Sequence, residues 1–542
     1  MGRALLAALL VLVGVARADA ACTGSGLVWT CDTSTTKANV NTAIGSATSG
    51  ATITFDAGTY TWTAAGTITP SASKSVTLIC VSVGACDVNL GSVAFFQHDD
   101  ITGTSEGSHP TWRLSGFDFT GACSQACIWF YPRSAQATQW LTLRIDHNTF
   151  TDVGNGGSTD FMLLGENSRP MVFLGVIDHN TFSFSIQGRI VVHGLLEPDD
   201  WSGSLMGADN PESGNCLFFE DNSVTFTAPT NSGAGFIDAK NQACYVFRFN
   251  TDLNARILQH SVGHAWGTAN WELYGNTFER TSNADTLGNC YRTIHGQGAG
   301  TLAVWGNTFV DCVGTISSGA IALLHYRDGT PADAGYGIAG QCDGDDPVDG
   351  NTTPTATHFG YPCKKQPGRA PAGGTPDWGT LSPVPAFKNI DASNSNAKVD
   401  LEFGCPWTAP TVYCTQHVVN DRDYYNAVSA SAQTNATTPF NGTTGIGHGT
   451  LANRPTTCTH NTSPDGDNGG GVMYWATDQG SWNSSSTNPF GVQQNGADGV
   501  LYRCSATDTW SVYYTPYAYP HPLQGAVAAT GAPYRLRVRD DD

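Results

Sequence analysis

Six times between residues 143 and 309 the chain repeats one short pattern: an apolar run of β type, then Asn, then usually Thr-Phe. The copies are LRIDHNTF at 143–150, VIDHNTF at 176–182, LFFEDNSV at 217–224, YVFRFNTD at 245–252, WELYGNTF at 271–278 and LAVWGNTF at 302–309. Their Asn residues (Asn148, Asn180, Asn222, Asn250, Asn276 and Asn307) are separated by 32, 42, 28, 26 and 31 residues. A repeat near 30 residues with insertions is what a solenoid produces when each lap is one coil and loops enter at a fixed corner. An Asn just after a strand suits such a corner, because its amide can bond to the matching Asn one coil above and below. Asn also tolerates the left-handed backbone that a tight corner can demand.

The rest of the chain agrees. Thr36–Ala47 is the one stretch near the start with helical spacing, through Val40, Ala43, Ile44 and Ala47. Residues 51–60 (ATITFDAGTY) alternate as a strand, and short strands separated by Gly, Asn, Ser and Asp corners continue to about residue 330. Long helices do not alternate with them, which disfavours doubly wound sheets and α/β barrels. The expected organisation is a leader at 1–20, an N-terminal cap at 21–50, a solenoid of short stacked strands at 51–330, long loops with irregular coils at 331–454, and an aromatic, Cys-stapled region at 455–542. In that last region the three prolines of VYYTPYAYPHPL (residues 512–523) rule out a central strand and suit an extended tail along the solenoid.

The first twenty residues read as an export signal: Arg3, an apolar stretch over Leu5–Val15, and the small-x-small site Ala18-Asp19-Ala20. No later stretch is long and apolar enough to span a bilayer. All sixteen Cys follow the leader, and an even number in an exported chain points to disulfides. Near-neighbour pairing is the simplest expectation: Cys22/Cys31, Cys80/Cys86, Cys123/Cys127, Cys216/Cys244, Cys290/Cys312, Cys342/Cys363, Cys405/Cys414 and Cys458/Cys504. Formal charge is −20, and −21 once Arg3, Arg17 and Asp19 leave with the leader, while only 13% of residues are charged. Such acidity argues against nucleic acid and anionic membranes as partners. A secreted or cell-surface monomer is expected.

The cap-and-strand segment at 39–62 followed by IDHNTF coils resembles the right-handed parallel β-helix proteins of the pectate-lyase-like superfamily, over about residues 38–330. The stretch 236–250 (FIDAKNQACYVFRFN) is similar to the pectate-lyase coil that carries a calcium-binding Asp about a dozen residues before a ladder Asn. The resemblance implies an all-β, single-stranded right-handed parallel β-helix with a capped N-terminus and a disulfide-stapled, loop-rich C-terminal region. It also implies a sugar chain on the outer face of the first strand of successive coils. The matching strands lie at 162–168, 188–194, 235–241, 256–261 and 291–296, with 321–327 beyond the last repeat.

Alternate strand residues share a face. One face therefore collects Arg189 with His193, Asp238 with Lys240, Arg256 with His260, and Arg292, with His295 and His325 nearby. On a chain so poor in charge this row suits an acidic polysaccharide. The resemblance gives Arg292 the place of the proton-abstracting Arg, and Arg256 that of a substrate-positioning one. His260 and His295 are alternative bases, because their ordinary pKa lies near neutrality. Arg189, His193, Lys240 and His325 are candidate substrate-binding groups. Asp238, with Glu166, is the candidate calcium site, and a calcium-free version using Arg and His directly is open beside it. The expected activity is that of a secreted lyase cleaving a uronate-containing glycan by β-elimination. The alternatives are a non-catalytic carbohydrate-binding or adhesion protein and a glycoside hydrolase. The hydrolase signature would be Asn250-Thr251-Asp252, Asp345-Asp346 and Gly447-His448-Gly449, whose spacing three coils cannot bring together.

Overall fold

A computed structural model describes residues 21–525 apart from 65, 71–72, 92–94, 99–107, 122, 124–125, 131–138, 154–159, 166–170, 186–187, 195–214, 228–234, 241, 260–267, 281–292, 298–299, 311–319, 325–360, 363–366, 371–378, 392–393, 399–400, 405–417, 428–439 and 485–497. The leader expected at 1–20 and the charged end of the chain lie outside the described residues.

The chain is a parallel β-helix of three long sheets. Each coil visits them in the same order, as in Asp160–Leu164 (sheet one), Met171–Asp178 (sheet two) and Thr181–Phe184 (sheet three). Pairing runs from coil to coil in parallel register: Met162 pairs with Ile190, Gly175 with Leu217, and Thr181 with Ser223. Sheet two begins at the antiparallel hairpin of Cys22–Ser25 and Val28–Cys31 and continues to Tyr424–Asn426. The helix Lys37–Ser46 buries Val40, Ala43 and Ile44 against the same core. It starts where Thr36 and Asn39 form a reciprocal cap, each side-chain oxygen accepting the other's backbone N–H at 3.3 and 2.9 Å.

Inside the coils, equal residues stack on equal residues. Sheet one contributes Ile190, Ile237, Ile257, Ile294 and Ile321, all buried and successively paired. Sheet three contributes Phe119, Phe150 and Phe182, with ring centroids 5.1 and 5.2 Å apart, and then Phe278 over Phe309 at 5.4 Å. Offset aromatic stacks at a strand spacing of ~4.8 Å suit both requirements at once.

Val224 and Asp252 interrupt the Phe row, and only the second is polar. Asp252 stands between Val224 and Phe278 and is fully buried. Its Oδ1 accepts the Ala255 N–H at 2.9 Å. Burial pushes its carboxyl up to about 7, against the pull of that bond and of Arg280. A carboxylate facing the core cannot meet a sugar, so the Asn250-Thr251-Asp252 match carries no hydrolase chemistry; Asp345-Asp346 lies outside the described residues. The native state keeps this proton at pH values where the unfolded chain has released it. Stability is therefore expected to fall as pH rises from about 4 to about 7. Asp252→Asn should raise urea stability at pH 8 by at least about 1 kcal/mol and change little at pH 4.

The ladder is as the repeat requires. Each Asn amide donates to the Asn Oδ1 of the next coil: Asn148 to Asn180, Asn180 to Asn222 and Asn222 to Asn250 at 3.1, 3.1 and 3.0 Å, then Asn250 to Asn276 and Asn276 to Asn307 at 3.1 and 3.0 Å. A seventh rung follows at Asn389, 82 residues after Asn307 and 2.8 Å from it. The left-handed residue is not the Asn, however, but its predecessor. His147, His179, Asp221, Phe249 and Lys388 have φ between 54° and 59°, and Gly275 and Gly306 take the same place. Asn222 shows why: its Oδ1 accepts two bonds from Asn180, and its Nδ2 donates to Ile177 O and Asn250 Oδ1. Asn222→Ala strands these buried groups and is expected to lower unfolding free energy by ~3 kcal/mol in urea titration.

Disulfides Cys22–Cys31, Cys80–Cys86, Cys123–Cys127, Cys216–Cys244 and Cys458–Cys504 are formed. The pairs expected at Cys290/Cys312, Cys342/Cys363 and Cys405/Cys414 lie outside the described residues. Cys216–Cys244 ties neighbouring coils just ahead of the Leu217–Tyr245 pair.

A small four-stranded sheet, Ile446–Gly449, Met473–Ala476, Val500–Ala506 and Thr509–Tyr514, buries Met473, Trp475 and Tyr514 with Trp482 against the outside of sheet two, on Tyr274, Trp305 and Phe387. Beyond it, residues 515–524 continue along that face. Tyr519 Oη donates to Asp221 at 2.7 Å, and the His521 N–H donates to Glu220 at 2.9 Å. Prolines 516, 520 and 522 all fall after the last strand, which is itself an edge of its sheet.

Candidate functional site

The candidate site is the outer face of sheet one. Ile190, Ile237, Ile257 and Ile294 point into the core, so period two turns Arg189 and Val191, Asp238 and Lys240, Arg256 and Leu258, and His295 outward. Strand pairing sets Val191, Asp238, Leu258 and His295 at one level of four consecutive coils. Lys240 is level with His193, whose side chain lies outside the described residues. Asp238 and His295 are two strands apart, roughly 10 Å between Cα atoms, and Arg256 sits diagonally between them.

Asp238 is fully buried and organises the charges. Its Oδ2 lies 2.8 Å from Arg189 Nη1 and 3.4 Å from Lys240 Nζ. Arg189 also donates from Nε to Asp160 Oδ1 at 2.5 Å. Burial works to lower the Arg189 pKa, but Asp238 and Asp160 more than offset it, so the guanidinium holds its proton above the ordinary value. Arg189 and Lys240 are only 21% and 15% exposed. Arg256 and His295 are more deeply set, at 8% and 6% exposure.

Of the residues singled out from sequence, the structure brings Arg189, Asp238, Lys240, Arg256 and His295 to one face. Glu166, His260, Arg292 and His325 lie outside the described residues. Among the described residues, no group of three or more His, Cys, Asp or Glu side chains is arranged to hold a metal ion. Sequence reading missed Asp160. The signal was its place at the start of a sheet-one strand, in register with Arg189 one coil later, but a register shift between Asp160 and Met162 hides it from a count of alternating residues.

Fold and site together define a parallel β-helix protein that presents a mixed-charge row on its first sheet. No protein-family model matches the sequence, and no curated protein matches it. Among solved structures, the chain is similar to an alginate lyase from Paenibacillus sp. str. FPU-7, at 13% identity and a TM-score of 0.32 over 53% of this chain and 95% of that one. It is also similar to the PL6 family polysaccharide lyase Pedsa3628 from Pseudopedobacter saltans, at 12% identity and 0.32 over 82% and 88%. A third is the PL6 family alginate lyase AlyGC, at 13% identity and 0.25 over 57% and 41%. At these identities and scores, the reading of the site rests on the side chains described above.

Proposed function

We propose that the chain is an exported member of the pectate-lyase-like superfamily that binds an acidic polysaccharide across sheet one and cleaves it by β-elimination at a uronate. The supporting observation is the gathering of Arg189, Lys240, Arg256 and His295 on four consecutive strands of one face, in a chain with a net charge of −20. A global repulsion of that size leaves a polyanion few places to settle, and a local basic row is one. The five disulfides among the described residues fit a site of action outside the cell. Among the described residues, no helix is long and apolar enough to cross a membrane.

In this reading the uronate carboxylate is held by Arg256, Arg189 and Lys240, which makes the C5 proton more acidic. Neutral His295 takes that proton. The C5–H electron pair becomes the C4–C5 double bond, the C4–O glycosidic bond breaks with its electrons leaving on oxygen, and that oxygen takes a proton from the His295 imidazolium just formed or from water, so that the imidazole ends neutral. Arg292 and His260, as further candidate bases, belong to the same face by sequence. Asp238 acts as counter-ion to Arg189 and Lys240 rather than as a calcium ligand, because a divalent cation at its Oδ2 would meet two positive groups within 3.4 Å.

The test is a screen of the mature protein against pectate, alginate and chondroitin, following ultraviolet absorbance and reducing ends together. The expected result is an absorbance rise on one uronate polymer, matched by new reducing ends and unchanged by EDTA. New ends without absorbance would mean hydrolysis. Retention of the polymer with no new ends would mean a binding protein. Loss of activity in EDTA, restored by Ca²⁺, would overturn the calcium-free version.

A further inference from the structure

Five Asn-x-Ser/Thr triplets occur in the chain, at Asn351, Asn435, Asn441, Asn461 and Asn483, and none falls before residue 351. The solenoid is rich in Asn, yet each of the six ladder Asn in the repeats has its Thr or Ser one place too early to complete the triplet. This triplet is the acceptor signal for an Asn-linked glycan, a bulky hydrated group that an exposed loop can hold and a packed interior cannot. Asn351 and Asn435 lie outside the described residues. The structure separates the other three.

Asn461 and Asn483 are closed. Asn461 Nδ2 donates to Asp421 O at 2.7 Å and to Tyr425 Oη at 3.2 Å, so both of its hydrogens are engaged. Tyr425 is itself fully buried, which sets that amide against the interior. Asn483 is only 5% exposed and forms a β-bridge with Tyr519. A sugar on either nitrogen would have to displace packed protein.

Asn441 differs on each count. It is exposed, in the turn that leads into the edge strand Ile446–Gly449 of the small sheet. Its Oδ1 accepts the Thr443 N–H at 3.1 Å and the Thr443 hydroxyl at 2.7 Å. The third residue of the triplet thus closes an Asx-turn on the first. Gly442 between them has φ of 80°, and a Cβ added there would lie 2.3 Å from Thr457 O, so the middle position is fixed as well. The carboxamide is held through its oxygen alone, and among the described residues no protein group bonds its nitrogen.

We propose that Asn441 is a glycan acceptor, modified as the chain passes through a compartment that holds an oligosaccharyl transferase. In the transfer, Nδ2 attacks the anomeric carbon of a saccharide carried on a polyprenyl pyrophosphate. The nitrogen–carbon bond forms as the carbon–oxygen bond to the pyrophosphate breaks. The pyrophosphate leaves with that electron pair, and Nδ2 gives one proton to a base of the transferase. The product amide keeps one N–H, and its oxygen keeps both bonds from Thr443. The five disulfides among the described residues fit such an exported route. The acceptor lies on the sheet that covers sheet two, so it stands independently of the reading of sheet one.

The test expresses the full chain with its leader in a eukaryotic secretory host and maps the glycopeptides of the secreted protein. Glycans are released by peptide N-glycosidase in heavy-oxygen water, which marks occupied sites and excludes spontaneous deamidation of the Asn441-Gly442 pair. The expected result is Asn441 occupied in most molecules, with Asn461 and Asn483 bare. Asn441→Gln should remove the mass of one glycan. Thr443→Val keeps the Asn but not the hydroxyl and should abolish occupancy, whereas Thr443→Ser should retain it. Both residues are exposed, so the variants should be secreted with the thermal midpoint of the deglycosylated wild type, which separates lost modification from lost folding. A secreted, folded chain with Asn441 bare, or with the glycan on Asn461 or Asn483, overturns the proposal.

Discussion

Arg248→Ala is expected to cost about 3–5 kcal/mol of unfolding free energy and to free the end of the chain from sheet two. Arg248 is wholly buried. It donates from Nε to Glu220 Oε1 at 2.7 Å, with Nη2 on the same oxygen. It donates further to Tyr274 Oη, Tyr517 O and Ala518 O at 2.6, 2.7 and 2.8 Å. Its guanidinium also lies 4.9 Å from the Phe218 ring centre and 5.2 Å from that of Tyr519. One side chain thus joins coil to coil and coil to tail. Truncation leaves the Glu220 carboxylate in a dry site without its cation, which costs more than the pair contributes while intact. Adding Glu220→Gln to Arg248→Met should recover part of the loss. Urea unfolding measures the first effect, and limited proteolysis within 510–525 the second. An alanine variant as stable and as protease-resistant as wild type would show that the aromatic packing holds the tail unaided.

The second large effect concerns turnover. If uronate elimination runs on sheet one, Arg256→Ala and His295→Gln should each lower kcat/KM by roughly 10²–10³, as expected for removal of a charge-stabilising donor or a general base. Arg256→Lys keeps the charge but not the planar fork and should fall between. Both side chains are nearly buried, so urea midpoints must accompany the rates. The informative outcome is a collapse of turnover at a midpoint close to wild type. Full activity in both variants would remove this face from the chemistry. Asp238→Asn probes the same row from behind, and its expected signature is a raised KM, because Arg189 and Lys240 lose the group that holds them in place.

Much of this architecture is legible in the sequence because the coil imposes one lap length on chemically distinctive residues. Six ladder Asn, six strands of sheet one and the disulfide partners formed in five pairs could be read before any coordinates, whereas the sheet-one strands Phe96–His98, Ile128–Phe130 and Leu401–Gly404 were not. Asn389 was not legible: it follows Phe387-Lys388 without the usual Thr-Phe and comes 82 residues after its neighbour. The left-handed corner was assigned to the Asn because isolated Asn favours that conformation, yet the ladder uses its amide so fully that the turn falls to the residue before. Within the site, Arg189, Lys240 and Arg256 follow from period two, whereas the Asp160 partner required knowledge of where the register slips. The burial of Glu220 and Arg248 was not legible either. What buries them is a segment about 300 residues away in the chain, and no local pattern announces it.

The rung from Asn307 to Asn389 closes at 2.8 Å across a step of 82 residues, much as its neighbours close across 26 or 31. The scaffold therefore accepts a lap of 82 residues between one corner and the next as readily as one of 26. New loops can be lengthened, exchanged or shed there while the frame keeps its stability, so variation in what this protein recognises can proceed with little penalty to folding.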